Sequence, residues 1–343
     1  MASRIIDEMM KAIALISGGL DSILAAKLIQ AQGIEVIGVY FENTFARRKK
    51  EILGSIRNFA SELTSNLGIE LKTIDIGNEV LEILKSPKYG YGSAMNPCID
   101  CRILMLKESK QIMRDRNAAF VVSGEVLGQR PMSQHKQAML NIARESGLEG
   151  LLLRPLSARL LPRTIPEEQG WVERDKLFDF NGRSRKAQIE LARNLNLRDY
   201  PNSGGGCLLT EPLFVNKLTD LLRYDELNLG NIELIKIGRH FRISPFAKLA
   251  VGRDEEENKA LESLARDKDY LFLPTDELAG PTSLGRGVFN EEAIRLSCRI
   301  TCGYCDLDGV NSADIVYQMI SQKQTDVLTV SPIEADVLRR FRI

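Results

Sequence analysis

The chain has 343 residues, 44% of them hydrophobic and 27% charged, with 46 basic side chains balanced by 46 acidic ones. That composition describes a globular protein of one large or two ordinary domains, and zero net charge argues against a protein that coats nucleic acid nonspecifically. The apolar runs are short and the acid-bearing N-terminus lacks a signal-peptide core, so a cytoplasmic protein without a membrane span is expected.

Residues 12–16 form an apolar run that Ser17-Gly18-Gly19-Leu20-Asp21-Ser22 interrupts. Ile23 to Ile29 then continue with helical spacing, and Gly33 is a stop, which reads as strand, glycine turn, helix. Residues 35–41 (EVIGVYF), 71–76 and 118–122 (AAFVV) read as further buried strands, and 150–153 as the start of a fifth. Helical spacing runs through 50–67, 78–84, 103–116, 133–145 and 185–194. Residues 87–97 are a loop, 156–184 an arginine-bearing excursion, and 200–209 (YPNSGGGCLL) a glycine loop before a last helix at 211–223. Strands alternating with helices predict an α/β fold built on a doubly wound parallel sheet, with ligands at the carboxyl ends of the strands. From about residue 226 the pattern becomes α+β, with short strands at 232–237, 241–244, 247–251 and 270–273 and a charged helix at 255–266. The domains are therefore set at 1–225 and 226–343.

The turn at 17–22 carries the first chemistry. Two adjacent glycines let backbone amides approach a ligand closely, and the helix N-terminus behind them attracts an anion. Ser17 and Ser22 add hydroxyls, and Asp21 can hold a Mg²⁺ that meets a phosphate. No Gly-Lys-Ser/Thr closes the loop, so it is not the P-loop of kinases. SGGLDS instead resembles the signature of the PP-loop ATP pyrophosphatases, which split ATP into AMP and pyrophosphate to activate a substrate oxygen.

Six cysteines fall into two groups of three: Cys98, Cys101 and Cys207, then Cys298, Cys302 and Cys305. Clustered cysteines without a secretion signal point to metal, cluster or redox chemistry. Cys98 and Cys101 precede a helix, whose positive end favours thiolates. Three cysteines leave one iron of a [4Fe–4S] cluster open for another ligand; alternatively one cysteine carries a persulfide that a second resolves.

Longer motifs sharpen the resemblance. Asn96-Pro97-Cys98-Ile99-Asp100-Cys101-Arg102, with Met105 and Lys107, resembles the CxxCxR/K segment of tRNA 4-thiouridine synthases. Ser123-Gly124-Glu125-Val126-Leu127-Gly128-Gln129, with Ser133-Gln134, resembles their GESLGQ…SQ segment, and Arg154-Pro155-Leu156 their RPL. The Asn96-Pro97-Cys98 start is also similar to that of the tRNA 2-thiouridylases. The resemblance spans about residues 11–210 and implies an adenine nucleotide alpha hydrolase-like fold and an ATP-dependent tRNA sulfurtransferase. In such an enzyme a uridine carbonyl oxygen is adenylated and sulfur displaces AMP, giving 4-thiouridine or 2-thiouridine. It further implies that Ser17, Gly18, Gly19, Asp21, Ser22, Phe41 and Gly124 hold the nucleotide, with Glu125, Gln129 and Arg130 lining the crevice. Asp21, Cys101 and Cys207 are the implied catalytic residues. Cys98, Cys101 and Cys207 are the implied ligands of a [4Fe–4S] cluster, with hydrosulfide or a persulfide carrier as sulfur donor and tRNA as partner.

The 4-thiouridine synthases carry an N-terminal THUMP module that grips tRNA, whereas here the loop begins at residue 17, so the RNA grip is sought elsewhere. Gly238-Arg239-His240-Phe241-Arg242, followed by Val251-Gly252-Arg253-Asp254, resembles the RNA-binding module of NFACT proteins and implies Arg239, His240 and Arg242 as phosphate contacts. Arg47-Arg48-Lys49-Lys50 and the arginines from Arg154 to Arg185 are candidate basic faces. The CxxxCxxC of Cys298, Cys302 and Cys305 leaves open a zinc site, a second cluster or a sulfur relay. His135 and His240 lie in no metal-ligand spacing and read as structural or RNA-facing. A PP-loop enzyme acting on a small molecule, by sulfur insertion or amidation without RNA, is the alternative.

Overall fold

The computed structural model describes residues 9–46, 67–197, 206–275, 278–322 and 324–343. The basic run Arg47-Arg48-Lys49-Lys50, nearly all of the helix expected at 50–67 and the first part of the 200–209 loop lie outside them. The chain divides into two compact units, Met1–Thr210 and Glu211–Ile343.

The first unit is built on five parallel strands: β1 (Lys11–Leu15), β2 (Glu35–Glu42), β3 (Glu70–Asp75), β4 (Phe120–Ser123) and β5 (Leu152–Leu153). Their order is β3-β2-β1-β4-β5, as the alternation of strands and helices predicts. Strand β1 is central because both its faces are apolar. Ala12 and Ala14 pack with Ile23 and Ala26 of α1 (Leu20–Gln30) on one face. Ile13 and Leu15 pack on the other with Leu106 of α3 (Cys98–Asp115) and Ile142 of α4 (Lys136–Glu145). A short helix, α2 (Gly77–Lys85), follows β3. The excursion after β5 carries one α-helical turn, α5 (Ile165–Glu168), between the 3₁₀ turns Ala158–Leu160 and Arg174–Lys176, before α6 (Lys186–Asn194). Leu20, Leu24 and Leu28 of α1 face the excursion and α6, packing with Leu156 and Ala192. Burial of each such leucine contributes roughly 1.5–3 kcal/mol. The chain leaves β1 for β2 on one side and returns to β4 on the other, so the segments after β1 and β4 flank the point where strand order reverses.

The second unit is a six-stranded antiparallel sheet in the order β11-β10-β8-β9-β7-β6. Its strands are β6 (Arg239–Ser244), β7 (Ala247–Val251), β8 (Tyr270–Pro274), β9 (Ser283–Gly287), β10 (Ala313–Met319) and β11 (Asp326–Val330). Five helices accompany it: α7 (Pro212–Tyr224), α8 (Leu229–Lys236), α9 (Glu255–Ser263), α10 (Glu291–Cys302) and α11 (Ala335–Phe341). Two expectations are corrected here. The strand expected at 232–237 is α8, because Asn228 caps it by accepting the Asn231 amide at 2.9 Å. The domain boundary set at 225/226 falls instead at 210/211, because α7 belongs to the second unit. There Lys217 donates to the Ile235 and Gly238 carbonyls, and Asp220 accepts from Arg242. Among the described residues no helix is long and apolar enough to cross a membrane.

Candidate active site

The loop after β1 is braced from inside. Gly18 takes φ +77°, a conformation that glycine enters without strain. The Ser22 hydroxyl donates to the Gly19 carbonyl at 2.8 Å and accepts the Ser17 amide at 3.2 Å. Ser22 is buried and holds the turn, while Ser17 is exposed at its mouth. Helix α1 is entered at Gly19 with no side-chain cap; the Ser22 amide turns back to the Gly19 carbonyl at 3.1 Å, which leaves the Leu20 and Asp21 amides for an incoming anion. Asp21 stands in this first turn. One of its oxygens accepts from Gln129 Nε2 at 3.0 Å; the other is buried and has no partner among the described residues. A buried, unsatisfied carboxylate oxygen beside open amides suits a Mg²⁺ carried on phosphate.

The segment after β4 closes on that loop. A Cβ on Gly124 would stand 2.5 Å from the Asp21 carbonyl and the Ser22 amide, so only glycine permits the approach. Glu125, next along, is buried and receives Arg154 Nε at 2.9 Å and the Ser123 hydroxyl at 3.0 Å, with Arg102 Nε at 3.3 Å. Burial pushes its carboxyl up, but the two guanidiniums and these hydrogen bonds outweigh it and hold the group below its ordinary range. Glu125 is thus corrected from a ligand-facing residue to a brace. Arg154 is consumed in it, donating also to the Met139 carbonyl at 3.0 Å.

Arg102 leads from this brace to the cysteines. Cys98 and Cys101 occupy the first turn of α3. Cys207 arrives from the far end of the unit: it bridges Ala46, Leu208 donates to the Phe45 carbonyl at 2.9 Å, and Met95 donates to the Leu209 carbonyl at 3.1 Å. These ties dock the 207–209 segment beside the loop that precedes Cys98. Burial, then the neighbouring Cys207 and Cys98 sulfurs, push the Cys101 thiol up to about 12, with Arg102 pulling weakly downward. Burial raises Cys98 as well, against Arg130 and Arg102. Burial thus works against the helix-stabilised thiolates expected here. The donor set, three soft thiols, is chemically right for an iron–sulfur cluster. Among the described residues, however, no three His, Cys, Asp or Glu side chains already converge as a metal-binding group.

The remaining candidates divide. Phe41 lies at the carboxyl end of β2, half-buried against the α3 face of the core. Cys298 and Cys302 are fully buried in the apolar core of the second unit, and Cys302 donates to the Val330 carbonyl at 3.4 Å. Cys305 packs against the same core and its thiol reaches the Thr301 carbonyl at 3.5 Å. Burial pushes Cys298 up to about 12 and Cys305 to about 11. These three are corrected from metal ligands to core thiols. His240 is also buried, its Nε2 2.7 Å from the Ile237 carbonyl, and Arg242 is held between Asp220 and Asp225, each at 2.6 Å. Both side chains are thus engaged within the second unit. Arg239 lies over the Tyr304 ring, 4.7 Å from its centroid, and donates to the Gly252 carbonyl. Arg174 pairs with Glu167 and Arg159 with the Asp175 carbonyl, so half of the expected second basic face is internal bracing. His135 caps α4 by accepting the Ala138 amide at 3.3 Å.

Residues 8–159 match the family model described as thiamine biosynthesis protein (ThiI), and residues 238–342 match that of the NFACT protein RNA binding domain. A tRNA-specific 2-thiouridylase MnmA from a Nitratiruptor species is 36% identical over 98 residues, which are 28% of this chain and 28% of that protein. A probable tRNA sulfurtransferase from Thermococcus kodakarensis is 32% identical over 149 residues, 43% of this chain and 36% of that protein. A crystal structure of a 4-thiouridine synthetase–RNA complex with bound ATP aligns with 43% of this chain and 37% of its own at 22% identity and a TM-score of 0.34. The chain thus spans only 28% and 36% of the two curated relatives' lengths.

Proposed function

We propose that the chain is an ATP-dependent tRNA sulfurtransferase that replaces a uridine carbonyl oxygen with sulfur. The observation that carries this reading is one continuous contact path. Gly124 abuts Asp21, Glu125 beside it holds Arg102, and Arg102 adjoins Cys101. A nucleotide loop and a thiol site therefore share one end of one sheet.

The chemistry follows from those parts. The uridine oxygen attacks the α-phosphorus, a P–O bond forms, and pyrophosphate leaves. The open amides at the start of α1 receive the departing charge, with Asp21 as the residue that would hold Mg²⁺. Sulfur then adds to the activated carbon, and AMP departs with the original oxygen. On a persulfide route, the outer sulfur of a persulfide on Cys101 or Cys207 is transferred, and the other thiol takes the inner sulfur as a disulfide, which a dithiol reductant reopens. On a cluster route, Cys98, Cys101 and Cys207 would hold a [4Fe–4S] cluster whose open iron supplies a binding place for hydrosulfide. The high proton affinity of Cys101 means that either route must first remove a proton from it.

The test is thionucleoside formation on tRNA with ATP and a sulfur source. Asp21→Ala, Cys101→Ala and Cys207→Ala are expected to lose it while remaining folded by circular dichroism. Cys298→Ala is expected to retain it, since that thiol lies in the second unit's core. Full thiolation by Cys207→Ala would sink the role given to Cys207, and no thionucleoside from the wild type would sink the proposed function.

A further inference from the structure

We infer that a cleft between α3 and the end of α4 is a phosphate-binding site that seats the backbone of the RNA substrate away from the reacting nucleotide. The inference rests on the sulfurtransferase reading above. The cleft has a volume of about 360 Å³ and is lined by Lys107, Lys110, Arg114 and Arg144. Lys107, Lys110 and Arg114 stand three and four residues apart, so one face of α3 presents all three. Glu145 also lines the cleft, but it is engaged by Lys88 at 2.6 Å. None of the four cations has a carboxylate within ion-pair distance among the described residues; Arg144 donates only to the Asn141 amide oxygen, at 3.3 Å. Four positive groups thus share one concavity in a chain of zero net charge.

A helix C-terminus attracts cations without any ligand, and Arg114 and Arg144 do sit in last turns. That does not account for Lys107 and Lys110, which stand in the middle of α3. Nor are the carbonyls at the end of α4 waiting for donors: Gly147 and Leu148 already donate to the Arg144 and Ala143 carbonyls. Gly147, at φ +68°, leaves room for Lys110, whose amine lies where a Cβ would stand. The floor is therefore a backbone turn without a side chain and the walls are cations, a shape that admits a phosphate.

The cleft is off the reacting end of the sheet. At 1.5 Å of rise per residue, Lys107 and Arg114 stand roughly 9 and 20 Å along α3 from Cys101. A phosphate there belongs to a substrate large enough to reach both places, which a polynucleotide is and a free nucleotide is not.

The experiment measures tRNA affinity against salt for the full chain, wild type and Lys107→Ala/Lys110→Ala/Arg114→Ala, with Lys85→Ala as an exposed control. Lys107→Ala alone serves if the triple variant is unstable. The triple variant is expected to bind at least tenfold more weakly at 0.1 M salt. Its log K against log[salt] slope should flatten by one to two, since each phosphate contact contributes roughly 0.7–0.9. ATP binding without RNA should not change. Equal affinity and slope in the triple variant, or an equal loss in Lys85→Ala, overturns the site alone. Saturable binding of inorganic phosphate that the triple variant loses while its RNA affinity stays intact makes the cleft a free-anion site and overturns the RNA assignment. Absence of RNA binding by the wild type overturns both this inference and the proposed function.

Discussion

At the scale of single residues, the second unit contains a buried histidine surrounded by cations. Burial, then Lys248 and Lys217, drive His240 well below its ordinary 6.5, and burial drives both lysines down to about 8. The sign of the pH effect follows. Near 6.5 the unfolded chain takes up a proton that the folded chain refuses, so stability present above 6.5 is lost as pH falls. The lysines, at about 8, have gained most of their protons by then, so His240 contributes the larger part of the fall. Denaturant midpoints of residues 211–343 between pH 7.5 and 5.5 should fall with acidification, and His240→Gln should remove most of that fall. A flat profile in the wild type would contradict the burial argument. His240 also shows what a strand motif conceals. GRHFRI reads as a basic edge, but the side chain's direction is set by pairing with β7, and that pairing is not written in the local residues.

At the scale of elements, the parallel sheet was legible because its central strands are buried on both faces and read as continuous apolar runs, KAIAL and FVVS among them. The glycine turn at 17–22 and the CxxC helix start were legible for a different reason, since each needs particular residues within a few positions. The Glu125 brace was not, because Arg102 and Arg154 reach it from separate elements. The second cysteine group misled because spacings of four and seven serve equally for a ligand set and for one buried helix face, and Cys298 and Cys302 on α10 take the second course. The contact of Gly124 with the loop yields a prediction at this scale. Gly124→Ala should displace Asp21 by the overlap of its Cβ and lower ATP-dependent pyrophosphate release at least a hundredfold. Its stability cost should stay within about 1–3 kcal/mol, the range for local overpacking. Wild-type release from a stable Gly124→Ala protein would show that the close approach has no role in the chemistry.

For the whole molecule, each of the two sheets is packed against hydrophobic clusters of its own unit. Residues 211–343 carry their own six-stranded sheet with helices α8, α9 and α10 packed on it, and they contain all of the NFACT-type match. Expressed alone, this segment should unfold in a single cooperative transition and retain RNA binding that weakens with salt. Loss of all binding on separation would locate the RNA contacts in the first unit, at the lysine-lined cleft. Neutral total charge, read from the sequence as evidence against nonspecific RNA coating, is compatible with the inferred cleft because binding depends on where the charges stand.

The docking of Cys207 has a consequence for the order in which the first unit is built. All five strands of the first sheet, the nucleotide loop and the CxxC helix lie before residue 154 in the chain, whereas the third thiol waits until residue 207 has emerged. A chain folding as it leaves the ribosome, N-terminal part first, therefore assembles the sheet, the 17–22 loop and the Cys98–Cys101 turn before the Cys207 segment docks beside them.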